Sequence, residues 1–440
     1  MLFNLATRSE GEESRRIFGE AAAAYRQALL VFTREYQPQW WAGLQARLAN
    51  ALREQGKATA GDEGKRLLGE AAEAFRQALL VYTRQDQPGL WALLQESLAD
   101  ARREQAASIK GDEGVRLLKE AVTAYRFSLE VRTREQSPQA WTKIQDSLGD
   151  ALREQGEQTK GEESKRLFGE AAAAYRQVLL VLTREKSPQI WAQTQGKIGF
   201  ALVAQSNDAD GPQGARLLGE AAEAFRQALL VFNHQDQPGL WAILQASLGN
   251  VLRQQGERIE GDEGRRLFGE AAAAYRQALL VLTHKDKPEL WVTIQTNLAE
   301  TLSNLKDWAS AAQCYREILQ VAPDSREAYQ GASFLYHEVL FDFQLAFELD
   351  QAWLEKHPNE LSALSDFAEK HFTTGRYEQC RQRILSLLAN DKLALSTKVA
   401  LRTIEIANLL ALNRPDEVSA KMRALIEAIG SQPVDFKLTW

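Results

Sequence analysis

Nucleophilic or metal chemistry in this sequence would have to rest on two cysteines, Cys314 and Cys380, and five histidines. A thiol attacks only when a base or a cation makes it a thiolate. Cys314 precedes Tyr315 on one helical segment, His337 and His371 fall on others, and no local nucleophile signature surrounds either cysteine. His234 and His284 stand where earlier segments carry Arg34, Arg84, Arg134 and Arg184, so they read as substitutions at a basic helix-end site rather than as metal ligands. Gly169–Ala172 lacks the Gly-Lys-Ser/Thr ending of a phosphate loop and lies inside a helical pattern; Gly-x-Gly-x-x-Gly does not occur. Arg26, Arg76, Arg126, Arg176, Arg226 and Arg276 could line a channel for an acidic ligand, but exposed or intra-repeat ion pairs are the favoured reading. Carboxylates are abundant and evenly scattered. The sequence therefore predicts no enzyme, no cofactor and no metal site.

What remains is binding, and the composition narrows the partner. The 440 residues are 45% hydrophobic and 25% charged, with a formal net charge of −6. No block of Lys or Arg offers a surface that tracks phosphates, so nucleic acid is not expected. No apolar run approaches a membrane span, and the start, charged at Arg8 and Glu10, is no signal peptide. Two cysteines give no disulfide framework. The expected location is the cytoplasm.

The elements that position these residues are set by a repeat. Trp41, Trp91, Trp141, Trp191, Trp241 and Trp291 are 50 residues apart, and the same step links Pro38 to Pro288 and Gly11 to Gly261. Each copy must therefore fill the same slot in a stack. Trp141, Ile144, Leu148, Ala151 and Leu152 follow one helix face, opened by Pro138 at a first turn. Gly156 and Gly161 are expected to break the chain, and Glu162, Glu163 and Ser164 to supply acidic and capping groups for a second helix. Leu167, Phe168, Ala171, Ala172, Ala174, Tyr175 and Val178 give that helix a wide apolar arc, buried against neighbours on both sides. The Trp column reads as packing rather than as an aromatic recognition ladder. The column Gln45, Gln95, Gln145, Gln195, Gln245 and Gln295 reads as buried amides tied to a neighbouring repeat.

Leu148-Gly149 and Ala171, Tyr175, Val178, with Leu248-Gly249 and Ala271, Tyr275, Ala278, resemble the tetratricopeptide (TPR) motif, whose standard unit has about 34 residues. The longer copies are similar to the roughly 50-residue TPR arrays of large bacterial signalling proteins, often found beside CHAT caspase-like peptidase or nucleotide-binding domains. The resemblance implies an all-α fold, a right-handed α-solenoid of TPR-like helix pairs. Its divisions are a partial first repeat at 1–37, with the second helix only, and five 50-residue repeats at 38–287. Three shorter repeats at 288–392, a final helix pair at 393–430 and an extended tail at 431–440 follow. It also implies a function, a scaffold or adaptor that holds a partner protein or peptide, within a bacterial signalling or defence assembly that could include a peptidase or nucleotide-binding switch domain. The alternative is a self-assembling structural solenoid without a dedicated ligand.

In TPR proteins the concave ligand face is built mainly from the first helix of each unit. Carried onto this chain, its columns are Ala46, Glu96, Asp146, Gly196, Ala246, Thr296; then Asn50, Asp100, Asp150, Phe200, Asn250, Glu300; then Arg53, Arg103, Arg153, Val203, Arg253, Ser303. The expected partner-binding residues are Asp146, Asp150, Arg153, Gly196, Phe200, Val203, Ala246, Asn250 and Arg253. Gly196, Phe200, Val203 and Ala204 replace mostly polar residues in the fourth long copy. They predict an apolar pocket, flanked by Arg153 and Arg253, for a hydrophobic anchor from a partner with acidic residues. The carboxylate-clamping Lys/Asn set of chaperone-tail-binding TPRs is incomplete: Asn50 and Asn250 match, but no Lys accompanies them. Leu2–Glu10 aligns with the end of a first helix, which leaves the helix after Gly11 uncapped and open to self-association. Val434, Phe436, Leu438 and Trp440 alternate as in a strand that could enter a further domain.

Overall fold

A computed structural model describes residues 11–207, 209, 211–357, 360, 363, 367, 370, 375–389 and 395–429. The expected first-helix remnant at 2–10, the strand at 431–440 and His371 lie outside these residues. The chain divides into two compact units, Met1–Val281 and Leu282–Trp440.

The N-terminal unit holds α1 (Gly11–Val31), α2 (Pro38–Lys57), α3 (Gly61–Leu79), α4 (Pro88–Ala106), α5 (Asp112–Leu129), α6 (Pro138–Glu157), α7 (Gly161–Val178), α8 (Pro188–Asn207), α9 (Gly211–Leu229), α10 (Pro238–Glu257) and α11 (Asp262–Leu279). Each even-numbered helix pairs with the one that follows it, and each pair packs on the next, as in a TPR-like solenoid. The proline column sits in the first turn of the even helices, where no intrahelical N–H is needed. The glycine column precedes or opens the odd helices with positive φ, +65° at Gly161 and +82° at Gly261, a conformation that a side chain disfavours.

The core follows the predicted arcs. Ile144, Leu148, Ala151 and Leu152 of α6 and Leu167, Phe168, Ala171, Ala172, Tyr175 and Val178 of α7 are all buried. The Tyr175 ring lies directly on Gly149, so close that a Cβ built there would stand 2.5 Å from Cε1. The same slot takes only Gly or Ala, as with Ala99 and Tyr125, both fully buried.

Two local expectations are corrected. Gly156 does not break the chain; it lies inside α6, where its missing side chain admits the Phe168 ring. Ser164 does not cap α7; its buried hydroxyl donates to the Gly156 carbonyl at 2.8 Å and ties the hairpin together. Glu162 and Glu163 do occupy the first turn.

In the C-terminal unit the described helices are α12 (Pro288–Asn304), α13 (Trp308–Val321), α14 (Arg326–Phe334), α15 (Phe343–Lys356), α16 (Tyr377–Leu388), α17 (Leu395–Ala411) and α18 (Pro415–Ile429). A π-helical turn, Leu335–Val339, extends α14. The pair α12/α13 is near the standard TPR size, with helices of 17 and 14 residues against 20 and 18 in α6 and α7. Leu298, Ala299, Ala311, Tyr315 and Ile318 are buried, as the motif requires.

Candidate protein-binding face

On the even helices of the N-terminal unit, the varying columns build a ladder of ion pairs that crosses from copy to copy. The Arg53 guanidinium donates to Glu104 from Nε and Nη2, at 2.7 and 2.6 Å, and reaches Asp100 at 3.2 Å. Arg103 repeats this on the next copy, at 2.8 Å to Glu154 and 3.1 Å to Asp150. Burial alone would lower both guanidinium pKa values, but the carboxylates outweigh it and leave them raised. Tyrosine hydroxyls also donate to this column, to two carboxylates and one amide oxygen. Tyr125 donates to Asp100 at 2.5 Å, Tyr175 to Asp150 at 2.7 Å, and Tyr275 to Asn250 at 2.6 Å.

At the fourth long copy the arginine rungs of this ladder stop, although Lys197 still reaches back to the third copy. The positions that would receive Arg153 are Phe200 and Ala204, so Arg153 turns back to Glu157 and Glu154 of its own helix. Phe200 is 44% exposed and meets Phe225 edge-on at 5.0 Å. Phe225 lacks the tyrosine hydroxyl, in keeping with a neighbour that could not accept it. Val203 and Ala204 are half-buried.

The structure separates the nine predicted residues. Asp146 and Asp150 are joined by Lys197, whose Nζ lies 2.8 Å from Asp146 Oδ1 and 3.0 Å from Asp150 Oδ1. Burial would raise the Asp150 pKa, but Lys197, the Tyr175 hydrogen bond and Arg103 together hold it below the ordinary carboxylate range. Gly196 and Ala246 are buried; a Cβ on Gly196 would touch Leu244 at 3.5 Å. Asn250 accepts from Tyr275, and Arg253 pairs with Glu257 at 2.5 Å. Of the four apolar residues among the nine, Phe200 is exposed and Val203 half-buried, whereas Gly196 and Ala246 are buried. Sequence reasoning missed Lys197 and the tyrosines. The signal was partly present in the pairing of columns, with an acceptor at 100, 150 and 250 and tyrosine at 125, 175 and 275, and Phe200 with Phe225, although Asn50 stands with Phe75.

On the odd helices the Arg26-type column pairs mainly between repeats; Arg76 also has Glu73 of its own helix at 3.7 Å. Arg176 meets Glu220 at 2.8 Å, Arg226 meets Glu270 at 2.6 Å, and Arg26, Arg76 and Arg126 pair likewise with Glu70, Glu120 and Glu170. These glutamates also bind the arginine four residues before them, as Arg166 does Glu170. The expected exposed ion pairs are present, but most of them cross to the next copy rather than closing within a repeat, because stacking places one helix's Arg beside the next copy's Glu.

The basic column at 34–284 is no helix-end site either. It lies in the connecting turn, where Arg34 and Arg84 sit 5.9 and 5.8 Å from the Trp41 and Trp91 ring centroids. His234 and His284 keep a ring contact with Trp241 and Trp291, tilted and edge-on, at centroid distances of 5.6 and 5.7 Å. Trp141, Trp241 and Trp291 are buried, and the other three are half-buried. Of the glutamine column, Gln295 donates to Glu317 at 2.9 Å, within its own helix pair.

Cys314 and Cys380 are buried. Burial pushes the Cys380 thiol up to about 11, against a lowering hydrogen bond from Asn408. Among the described residues no cluster of His, Cys, Asp and Glu could hold a metal, and no helix is long and apolar enough to cross a membrane.

No protein-family profile matches the chain, and no curated protein matches it significantly. Solved structures do. The C-terminal part of a TPR repeat-containing protein from Cytophaga hutchinsonii is 11% identical, over 72% of this chain and 95% of that one, with a TM-score of 0.46. The apo form of RapI is 12% identical, over 97% and 95%, with a TM-score of 0.43. A circular tandem repeat protein is 17% identical, over 96% and 92%, with a TM-score of 0.29. At these scores the likenesses carry no weight; the TPR-like solenoid fold rests on the pairing and packing described above.

Proposed function

We propose that this chain is a protein-interaction scaffold that takes an extended partner segment on the even-helix face of its N-terminal unit. Phe200 and Val203 receive an apolar side chain, and Arg153 and Arg253 meet carboxylates beside it. The observation that carries this reading is the interrupted ladder. Phe200, Val203 and Ala204 depart together from a pattern that closes on itself in the preceding copies. The departure leaves an exposed aromatic ring and a guanidinium without the next copy's carboxylates. A partner carboxylate next to a hydrophobic anchor restores both contacts at once. The setting we propose is cytoplasmic, in a bacterial signalling or defence assembly with a peptidase or nucleotide-binding switch domain; its support is the resemblance of the long repeats to such arrays.

The test is selection from a displayed peptide library, followed by titration of the selected peptide. Enrichment of acidic residues flanking a large apolar one is expected. Phe200→Asp should weaken binding by at least about tenfold, the scale of a central anchor, with far-UV circular dichroism unchanged. A selected peptide that binds the Phe200→Asp variant as tightly as the parent refutes the site.

A further inference from the structure

The C-terminal unit carries a second exposed line with the opposite electrostatic character. Along α14 and the π-turn the exposed positions run Arg326, Glu327, Gln330, Phe334, Glu338 and then Phe341 just beyond. Phe334 is 56% exposed and Phe341 66%. Tyr329, Ala332, Leu335 and Tyr336 take the buried side, so the helix has a complete core face without these two rings. The π-turn inserts an extra residue per turn, which sends His337 inward and leaves Glu338 outside. Phe341 is also held at φ +53°, a left-handed conformation that a bulky residue rarely adopts. Its ring stands 6.2 Å from that of Phe343.

The charge around this line is negative. Glu327 and Glu300 flank Tyr315, on which α14 rides so closely that a Cβ at Gly331 would stand 2.6 Å from the ring. Burial first, then those two carboxylates, push the Tyr315 hydroxyl up to about 12. Of the cations nearby, Arg326, exposed at the start of α14, meets Glu360 at 2.9 Å, Lys356 and His357 face Asp324 at 3.7 and 3.5 Å, and Arg376 stands over the Phe343 ring, 6.0 Å from its centroid. Glu338 has His337 Nδ1 at 2.7 Å, yet its side chain remains 55% exposed.

We infer that the line from Glu327 to Phe341 docks an arginine-bearing extended segment of a partner protein. Guanidinium groups stack on Phe334 and Phe341 and pair with Glu327 and Glu338. A ring face attracts a cation, and arginine suits it because its planar head is weakly hydrated and stacks while its edge pairs with carboxylates. An acidic partner is disfavoured by the same glutamates, so this line and the Phe200 site select segments of opposite charge.

The probe is a short fluorescein-labelled peptide in which arginine and leucine alternate with serine, beside a counterpart with glutamate for arginine, read by anisotropy on the full chain. The arginine peptide should bind, more weakly as salt rises. The Phe334→Ser, Phe341→Ser double variant should weaken it by about tenfold, with helicity kept because both rings are exposed. Glu327→Lys with Glu338→Lys should transfer preference to the glutamate peptide. Glu73→Lys with Glu223→Lys, on the odd helices of the N-terminal unit, should leave affinity unchanged, as should Phe200→Asp, which separates this site from the proposed one. Binding that ignores the double serine variant, or that falls equally with the Glu73/Glu223 control, overturns the inference. So does a chain whose sedimentation mass, rather than peptide affinity, depends on Phe334 and Phe341, since the occupant would then be a second copy.

Discussion

One ring position, repeated every 50 residues, tests the even-helix face without any partner. Tyr175 is fully buried, and its hydroxyl donates to Asp150 at 2.7 Å. Tyr175→Phe removes a hydrogen bond to a charged acceptor, nominally about 1.5–3 kcal/mol. Asp150 keeps Lys197 at 3.0 Å and Arg103 at 3.1 Å, so it is not orphaned, and the loss should sit near the lower figure. In the first long copy the same slot pairs Phe75 with Asn50. Phe75→Tyr should gain about 1 kcal/mol, because Tyr275 bonds Asn250 in the matching geometry. In the fourth copy Phe225→Tyr would aim its hydroxyl at Phe200, which has no acceptor, and should cost about 1–3 kcal/mol. Asp150 adds a pH signature. Its folded pKa is depressed, so its contribution is fully present above the ordinary aspartate range and is lost as the pH falls through the folded value. Tyr175→Phe should therefore blunt the loss of stability in acid. Because repeats contact only their neighbours, hydrogen exchange of α6 and α7 is a better readout than a global melt. Three substitutions with the same sign, or a Phe225→Tyr variant as stabilised as Phe75→Tyr, would refute the pairing of these columns.

Trp141→Ala should cost about 3–5 kcal/mol, confined to neighbouring copies, and Trp191→Ala less, since Trp191 is only half-buried; equal effects in urea titrations would contradict the burial pattern. Lys306 ends α12 at φ +63°, with its N–H on Ser303 and that of Asp307 on Leu302, the arrangement in which glycine is preferred. Lys306→Gly should stabilise by about 1 kcal/mol, and a lower melting point would count against that reading. Cys380, raised by burial to about 11, should stay a thiol at neutral pH and react with an aromatic disulfide reagent only on unfolding; prompt labelling of the folded chain would show that it is accessible.

The fold was legible because its determinants are local and repeated. A 3.6-residue apolar period, a proline at each first-helix start and a fixed 50-residue step leave a stack of helix pairs as the arrangement that buries every copy alike. The second helix of each pair could be read from Leu167 to Val178 on spacing alone. Glycines were the exception, since Gly156 and Gly161 look alike in sequence. Gly161 is required by its positive φ, whereas Gly156 makes room for Phe168 within a helix. Chain statistics carry the first kind of constraint; the second exists only once two helices touch.

The sequence by itself determined which columns vary, and so where to look: Phe200 and Val203 stood out against Asp150 and Arg103 before any packing was known. The tertiary structure alone decided what those columns do. Whether Arg126 pairs within its repeat or with Glu170 of the next is a distance across the stack, and no periodicity along the chain contains it. The same holds for Lys197 reaching back to Asp146 and for Arg34 lying over Trp41. Local pattern fixes which face of a helix is apolar, because a helix brings residues three and four apart together. Pairing between side chains some fifty residues apart depends on how one copy is set down on the next.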